Sequence, residues 1–506
     1  MGRNSLALSQ MVDSLVGIFS PKTAYKRKAY RFCYDALDSH RTRKKRSSGV
    51  GGTGDSRLTE QNLFQSREIT REMCRNNPLI DGMFQTECDG IIGSGVKIQG
   101  RTGDTKLNED LEAAWKEEML DKACDVTGSY LFGPYLGMQF QSYRRDGDSA
   151  TIYHTDLLQA VEGENIGTPW GGQKKELDPS HFEIINGVAY SKKTKARIGF
   201  YIGESDRKYG YIKAGSWKKY KADKVHLMFN PKRFSQSRGR PALTSAIDFV
   251  DKLMGYVDAE LVAAKVNACF SMFISQEDLM MPNAYTGGVS STGRDEDGNR
   301  LEKMEPGSIL YGKPGESATG IGQTRPGSLF DPFVLRMLMF IGRPMCMPLM
   351  LITLDFSGAT FMNARIAYQK VQDAWLREQE WVVKPFCSRT WRWKIGRLLE
   401  TGRIKTSNPN VLSHEVICKT WPYVNPDQET KANERELKLR TNNRTHICAR
   451  QGGDFKEIEA QRKIEDELIG ESKTADPVAD DGDEKGENDD GASQAREDKE
   501  GQDNEK

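Results

Sequence analysis

The chain has 506 residues, with 73 Lys and Arg against 72 Asp and Glu and a net charge of +1. That length holds two to four compact regions around a sizeable core, and a balance so near zero excludes naming a charged partner from net charge alone. Nine Cys without a CxxC pair exclude a disulfide framework and indicate free thiols in a reducing compartment, and six scattered His offer no metal-ligand spacing.

Charge is unevenly placed along the chain. Residues 22–46 are basic, ending in RTRKKR, and run into the flexible SSGVGGTGDS. GVGGTG matches GxGxxG in letters, but a dinucleotide loop needs a strand before it, and here a basic run precedes it. Arg3 and Asp13 argue against a signal peptide. Residues 61–90 predict a helix broken at Asn76-Asn77-Pro78, and IIGSGVKIQG predicts a turn into a strand. Asn108 to Leu120 is again helical, with Trp115 on its apolar side. From Tyr143 to Asn230 short β-rich runs are separated by Gly: SATIYHT, LQAVEG, HFEIINGVAYS, ARIGFYIG, KVHLMFN.

The segment QSRGRPALTSAIDFVDKLMGYVDAELVAAKVNACFSMF then predicts one long helix. Leu243, Ile247, Val250, Met254, Val257, Leu261, Ala264 and Ala268 recur at steps of four and three and so share one stripe. Such a helix spans roughly 40 Å and needs neighbours along its length, which points to an assembly. Asp248, Asp251, Lys252, Asp258 and Lys265 lie off the stripe. Residues 276–328 are rich in Gly, Pro and Ser, and a second helix is expected from Phe330 to Ile341. Leu335 to Leu354 is apolar but holds Arg336, Arg343, Pro344 and Pro348, and one central Arg costs about 2.5 kcal/mol on insertion. It reads as a buried helix and then an irregular apolar loop, with Met345, Met347 and Met350 as core, and no membrane contact is expected. Phe361 to Glu400 is helical, with a kink expected at Pro385. Further helices are expected to start at Asn425-Pro426 and at Asp454, the second with Glu457 in a capping box. After Glu471 the chain is acidic and expected to be disordered.

No GxxxxGK[ST] occurs, YGKPGES fails that template, and no nucleophile–base pair stands out, so neither an enzyme nor a cofactor is expected. The helices flanking Gly452-Gly453 read as a helical pair, since EIEAQRKIEDELI is too acidic for a DNA groove.

Several words in order resemble the portal proteins of lambda-like tailed bacteriophages or prophages. They are RNNPL with IIGSGVKIQ, RRDGDSA with LQAVEGENI, KADKVH with FNPKR and QSRGRPAL (Arg238, Gly239), DAELVAAKVNACF, EPGSILYGKPGE, LDFSGATFMNAR, and WPYVNPDQETKA with GGDFKEIEAQRKIEDE. Asp355, Ser357, Gly358, Ala364 and Arg365 match a family motif, whereas Thr360-Phe361-Met362-Asn363 departs from its usual Asn-Tyr-Ser-Ser-like run. The resemblance implies an α+β portal-type fold: a basic arm at 1–60, a wing at 61–239, a stem helix at 240–275, a clip at 276–328, a second stem helix at 329–342, a channel loop at 343–363, a kinked helix and wing return at 364–425, a crown at 426–470 and an acidic tail at 471–506.

It further implies a homo-oligomeric ring of about twelve copies at one capsid vertex. Its partners would be the terminase large subunit, the major capsid and scaffold proteins, a head–tail adaptor, and double-stranded DNA passing through without sequence specificity. The place would be the virion, and the host cytoplasm during assembly. Channel or subunit-interface candidates are Asp248, Asp251, Lys252, Asp258, Lys265, Arg343 and Asp355; stem packing falls to Leu243, Ile247, Val250, Met254, Val257 and Leu261. The off-stripe acids fit a channel wall, plain solvation or intersubunit ion pairs. The rival readings are a DNA-processing enzyme of a mobile element, or another head-completion or adaptor protein.

Overall fold

A computed structural model describes residues 54–169, 182–206, 211–213, 215–274, 308–311, 327–421, 426–450, 453 and 455–469. The basic arm, most of 276–328, the caps expected at Asn425 and Asp454, and the acidic tail lie outside the described residues. Residues 1–424 and 425–506 form two units.

The first unit begins with helices α1 (Glu60–Asn76) and α2 (Pro78–Ile91). Asn77 ends one and starts the other: its side-chain oxygen accepts from the N–H groups of Leu79 and Ile80 at 3.0 and 3.3 Å, and Pro78 takes the first helical position. Strand β1 (Lys97–Gly100) follows, then α3 (Thr105–Trp115), which runs into a π turn at Lys116–Leu120. Helix α4 (Phe132–Asp146) occupies a stretch whose last residues were expected to open the β-rich region. Gly133, Pro134 and Gly137 hide it from propensity, yet Phe132, Tyr135, Leu136, Phe140 and Tyr143 all turn inward. Tertiary burial overrides local preference there.

The strands are β2 (Ser149–Tyr153), β3 (Leu158–Glu162), β4 (Phe182–Ile185), β5 (Val188–Ser191), β6 (Arg197–Ile202), β7 (Lys218–Lys221) and β8 (Val225–Met228). They form two sheets, β3-β2-β8 and β4-β5-β6-β7, in which all pairs are antiparallel. Strand β7 went unrecognised because its sequence, KKYK, is that of an exposed edge strand kept charged, which shows no apolar alternation.

The long helix α5 covers Ile247–Cys269, 23 residues or about 35 Å. It is shorter than expected at both ends. Turns at Pro241–Thr244 and Leu243–Ala246 precede it, and Phe270–Ile274 is strand β9, paired in parallel with β10 (Ser308–Tyr311). Helix α6 (Phe330–Gly342) matches expectation. After it come α7 (Leu349–Thr353), α8 (Phe361–Glu378), α9 (Lys384–Glu400) and β11 (His414–Ile417), which pairs antiparallel with β1. The break expected at Pro385 is taken up by a π turn at Gln379–Val383 joining α8 to α9, with Pro385 early in α9. The wider turn absorbs the hydrogen bond that proline cannot make. It also lets two consecutive residues face inward. Glu378 accepts from the Tyr143 hydroxyl at 2.9 Å and from Asn230, while Gln379 Nε2 donates to the carbonyls of Ile91 and Lys419.

The largest core joins both ends of this unit. Trp391 on α9 is fully buried 5.2 Å from the ring of Trp115, and Phe386 stacks on Phe132 at 6.2 Å. In the second unit, α10 (Pro426–Lys438), α11 (Arg444–Arg450) and α12 (Phe455–Ile469) include the helical pair expected around Gly452-Gly453. Among the described residues no helix is long and apolar enough to cross a membrane.

Candidate functional site

Two segments that were read separately, RRDGDS at 144–149 and QSRGR at 236–240, meet at the foot of α5. Asp148 is fully buried. Its carboxylate receives Arg238 in a two-pronged pair at 2.6 and 2.8 Å, Arg67 from α1 at 2.8 Å, and the Gly239 N–H at 3.0 Å. The rest of the Arg238 guanidinium donates to the carbonyls of Gly163, Ile166 and Asn186, at 2.5, 2.6 and 3.0 Å. One arginine therefore ties the entry to α5 to α1, to the α4–β2 turn and to the hairpin of the four-stranded sheet. Asp55 adds a tether, accepting from the N–H and hydroxyl of Ser237, each at 2.7 Å.

The backbones touch at this point. Gly147 has φ +96, and a Cβ on Gly239 would lie 1.7 Å from the Gly147 carbonyl oxygen. Gly239→Ala is therefore expected to destabilise the first unit by several kcal/mol, as overpacking against immovable backbone does. Gly396→Ala, inside α9 with nothing within 4 Å of the new methyl, should stabilise by about 0.5–1 kcal/mol. Urea midpoints of the two variants check both signs.

Around this centre lies a second tier. Asp146 pairs with Arg71 and Arg145, each at 2.9 Å, and Arg71 also reaches Glu164 at 2.5 Å. Burial pushes the Asp148 carboxyl upward, but Arg238 and Arg67 outweigh it and hold it below its ordinary 3.8. Burial likewise opposes the charge on Asp146, and Arg145 with Arg71 keeps it low. A carboxyl depressed in the folded state contributes stability above its unfolded pKa and loses it as pH falls through the folded value. The stability difference between wild type and Asp148→Asn should accordingly be flat from neutral pH to about 5 and shrink below about 4. Denaturant titrations across that range test it.

Above the junction, α5 lies against α6. Leu243, Ile247 and Val250 are already buried within one copy, where the stripe was expected to need neighbouring copies, and the buried stripe continues through Leu253 rather than Met254. Phe249 meets Phe340 at 5.6 Å, and Tyr256 meets Phe330 and Phe333 at 5.7 and 4.8 Å. Val257 is half-buried and the cover then ends: Leu261 is 54% exposed and Val262 58%. On α6, Phe333, Leu335, Met339 and Phe340 are also exposed. Of the off-stripe residues, Asp248 pairs with Lys252 at 2.6 Å on the surface, one helical turn apart. Burial, then Asp248 and Glu72, raises the carboxyl of the largely exposed Asp251, while Asp258 and Lys265 are exposed.

The segment expected to be irregular from 343 to 360 is partly helical. Arg343–Met345 makes a 3-10 turn and Leu349–Thr353 is α7. Met345, Met347 and Ile352 sit in the α5–α6 core and Met350 is half-buried, which explains the helix: its apolar side has a surface to bury. Gly342 permits the fold-back, since a Cβ there would lie 2.4 Å from Ile352 Cδ1. Leu354 then takes a left-handed conformation at φ +55, rare for a branched side chain. Arg343 and residues 354–358 are exposed. Asp355 accepts from the Ser357 N–H at 2.9 Å and hydroxyl at 2.7 Å, bonds that hold its carboxyl below the usual range. Gly358 has open space around it, and Arg365 is half-buried on α8. Asp355, Ser357 and Gly358 thus form one turn, remote in sequence from the Arg238 junction. Among the described residues no group of three His, Cys, Asp or Glu could hold a metal.

The pattern of the phage portal protein, lambda family, matches residues 41–379. The chain belongs to that family. A probable portal protein of Halomonas phage phiHAP-1 is 20% identical over 438 residues, covering 80% of this chain and 81% of that one. Among solved structures, a chain from the neck of an empty gene transfer agent particle is 11% identical, with a TM-score of 0.38, covering 80% of this chain and 97% of its own. A chain from the virion of a native gene transfer agent particle is 12% identical, with a TM-score of 0.37 and the same coverage. The portal match contains the Arg238 junction, α5, α6 and the Asp355 turn, and it stops at the π turn. Helix α9 lies beyond it, yet this portal protein needs α9 to close its main core.

Of the residues that build the junction, Arg238 and Gly239 were singled out from sequence, and Arg67, Asp146 and Asp148 were not. The available signal was DGD followed by Ser in RRDGDSA, two acids flanking a glycine at a helix end.

Proposed function

We propose that this portal protein assembles into a closed ring of about twelve copies at one capsid vertex, and that duplex DNA passes through its centre during packaging and ejection. The carrying observation is the apolar surface that the helix pair leaves uncovered: Leu261 and Val262 on the outer part of α5, and Phe333, Leu335, Met339 and Phe340 along α6, face solvent in a single copy. So many large exposed apolar side chains on a well-packed helix pair mark an association surface, and copies of the chain supply one that closes on itself.

In this reading residues 61–239 form the wing, 240–275 and 329–342 the stem, 276–328 the clip, 343–363 the channel loop, 364–425 the return to the wing and 426–470 the crown. The clip receives a separate terminase motor and later a head–tail adaptor, and the wing meets capsid and scaffold protein. No catalysis is assigned to the chain. A conduit must let DNA slide, so its wall needs weak, replaceable contacts. The exposed Asp248, Asp251 and Asp258 suit that wall. The left-handed Leu354 favours a loop that changes shape, since backbone strain of that kind gathers at moving or ligand-gripping segments.

The test is native mass measurement and negative-stain imaging of the purified protein. Closed rings of one size are expected, and monomers alone over a wide concentration range would overturn the reading.

A further inference from the structure

Strands β6 and β8 and helix α9 converge on a cavity of about 500 Å³ that the portal reading leaves without a role. Arg197 from β6, His226 from β8 and Arg389 from α9 line it, together with Tyr190, Phe200 and Phe234. Neutral groups hold both arginines: the Tyr190 side chain is hydrogen-bonded to Arg197, and aromatic rings and backbone carbonyls do the rest. Arg197 lies over the rings of Phe200 and Phe229, at 5.6 and 5.8 Å. Arg389 lies 5.3 Å over Tyr153 and donates from one nitrogen, Nη2, to the carbonyls of Ala222 and Asp223. Stacking fixes a guanidinium by its face and still presents N–H groups at its edge. Among the described residues neither arginine forms an ion pair. The acid whose field reaches Arg197, Asp55, directs its carboxylate to Ser237.

His226 lines the same recess within the field of both cations, its ring T-shaped to Phe386 at 5.3 Å and without a hydrogen-bond partner among the described residues. Burial, with Arg389 and Arg197 nearby, lowers its pKa to about 3, so the ring is a neutral donor or acceptor facing a positively charged recess.

We propose that this cavity binds a phosphate monoester, its phosphate held by Arg197 and Arg389. Two guanidiniums match a dianion in charge and in fork geometry better than a single carboxylate. The volume falls within the usual ~300–1,000 Å³ of small-molecule sites and far exceeds a bare phosphate. Phe200, Phe234 and Tyr190 supply apolar and aromatic wall for the organic part, with Phe234 fully exposed at the mouth. A terminal phosphate can present its dianion to both guanidiniums at once, with its organic part against the aromatic wall. The proposal does not rest on ring formation and stands whether or not rings form.

The experiment is calorimetric titration of the full-length protein at constant ionic strength with a nucleoside monophosphate, inorganic phosphate, the matching nucleoside and acetate. The monophosphate is expected to bind, inorganic phosphate more weakly, and the nucleoside and acetate not measurably. Arg197→Gln should weaken monophosphate binding by about tenfold or more, the loss expected for one charge-assisted hydrogen bond. Arg197 is exposed, so the variant should unfold at the wild-type urea midpoint. Arg389→Gln, measured beside it, should weaken binding similarly. Absence of monophosphate binding, unchanged affinity in Arg197→Gln, acetate binding as tight as phosphate, or inorganic phosphate binding as tightly as the monoester would each overturn the proposal.

Discussion

Replacing Asp148 with Asn is expected to cost the first unit about 3–5 kcal/mol, the penalty for removing one partner of a buried ion pair. Asn keeps the shape of the side chain and can still accept from the Gly239 N–H, so packing is hardly disturbed. What it removes is the one negative charge lying between Arg67 and Arg238, both of them buried. Two guanidiniums would then face each other across a site that water does not reach. Arg238 cannot swing out to solvent, because three carbonyls hold it. The surface pair Asp248–Lys252 is the control: Lys252→Gln should cost under about 0.5 kcal/mol, the usual worth of an exposed i,i+4 pair. Urea unfolding followed by tryptophan fluorescence reads both. A loss in Asp148→Asn no larger than in Lys252→Gln would mean that the junction is not what fixes α5 to the rest of the unit.

Legibility in the sequence followed the range of the interactions. The α1–α2 break at Asn77-Pro78, the strands with apolar alternation and the start of α6 were readable because each rests on neighbours within a few residues. The stripe of α5 was readable as a stripe, but not which part of it a single copy buries, since that depends on α6, roughly eighty residues on. Helix α4 was masked by its own Gly and Pro. The junction was half-visible. Arg238 and Gly239 stood out as family words, but their partner Asp148 is 90 residues away from Arg238, and no periodicity links the two. The π turn at Gln379–Val383 left no local mark beyond Pro385, which suggested an interruption where the helix in fact continues. The exposed Asp355 turn was legible as a motif, and its hydrogen bonds are local, which is why sequence alone could find it.

Introducing Leu261→Asp together with Val262→Asp should convert rings to folded monomers. In one copy both side chains stand in solvent on the outer half of α5. Their exchange for Asp costs the monomer about 1 kcal/mol at most, chiefly in helix propensity, and no core contact is lost. A subunit interface sees the same change very differently. Burying a Leu or Val side chain contributes about 1.5–3 kcal/mol, and that gain disappears. Two carboxylates would also have to enter a low-dielectric seam without partners, or keep the seam open. Loss of about 3 kcal/mol per interface weakens each association by over ~100-fold, and in a closed ring every copy carries the lesion on the same surface. Native mass measurement should then show monomers, while circular dichroism and the urea midpoint stay close to wild type. Rings that persist in the double variant would show that copies meet elsewhere, and the uncovered apolar surface of the α5–α6 pair would have to be covered by something other than a second copy of this chain.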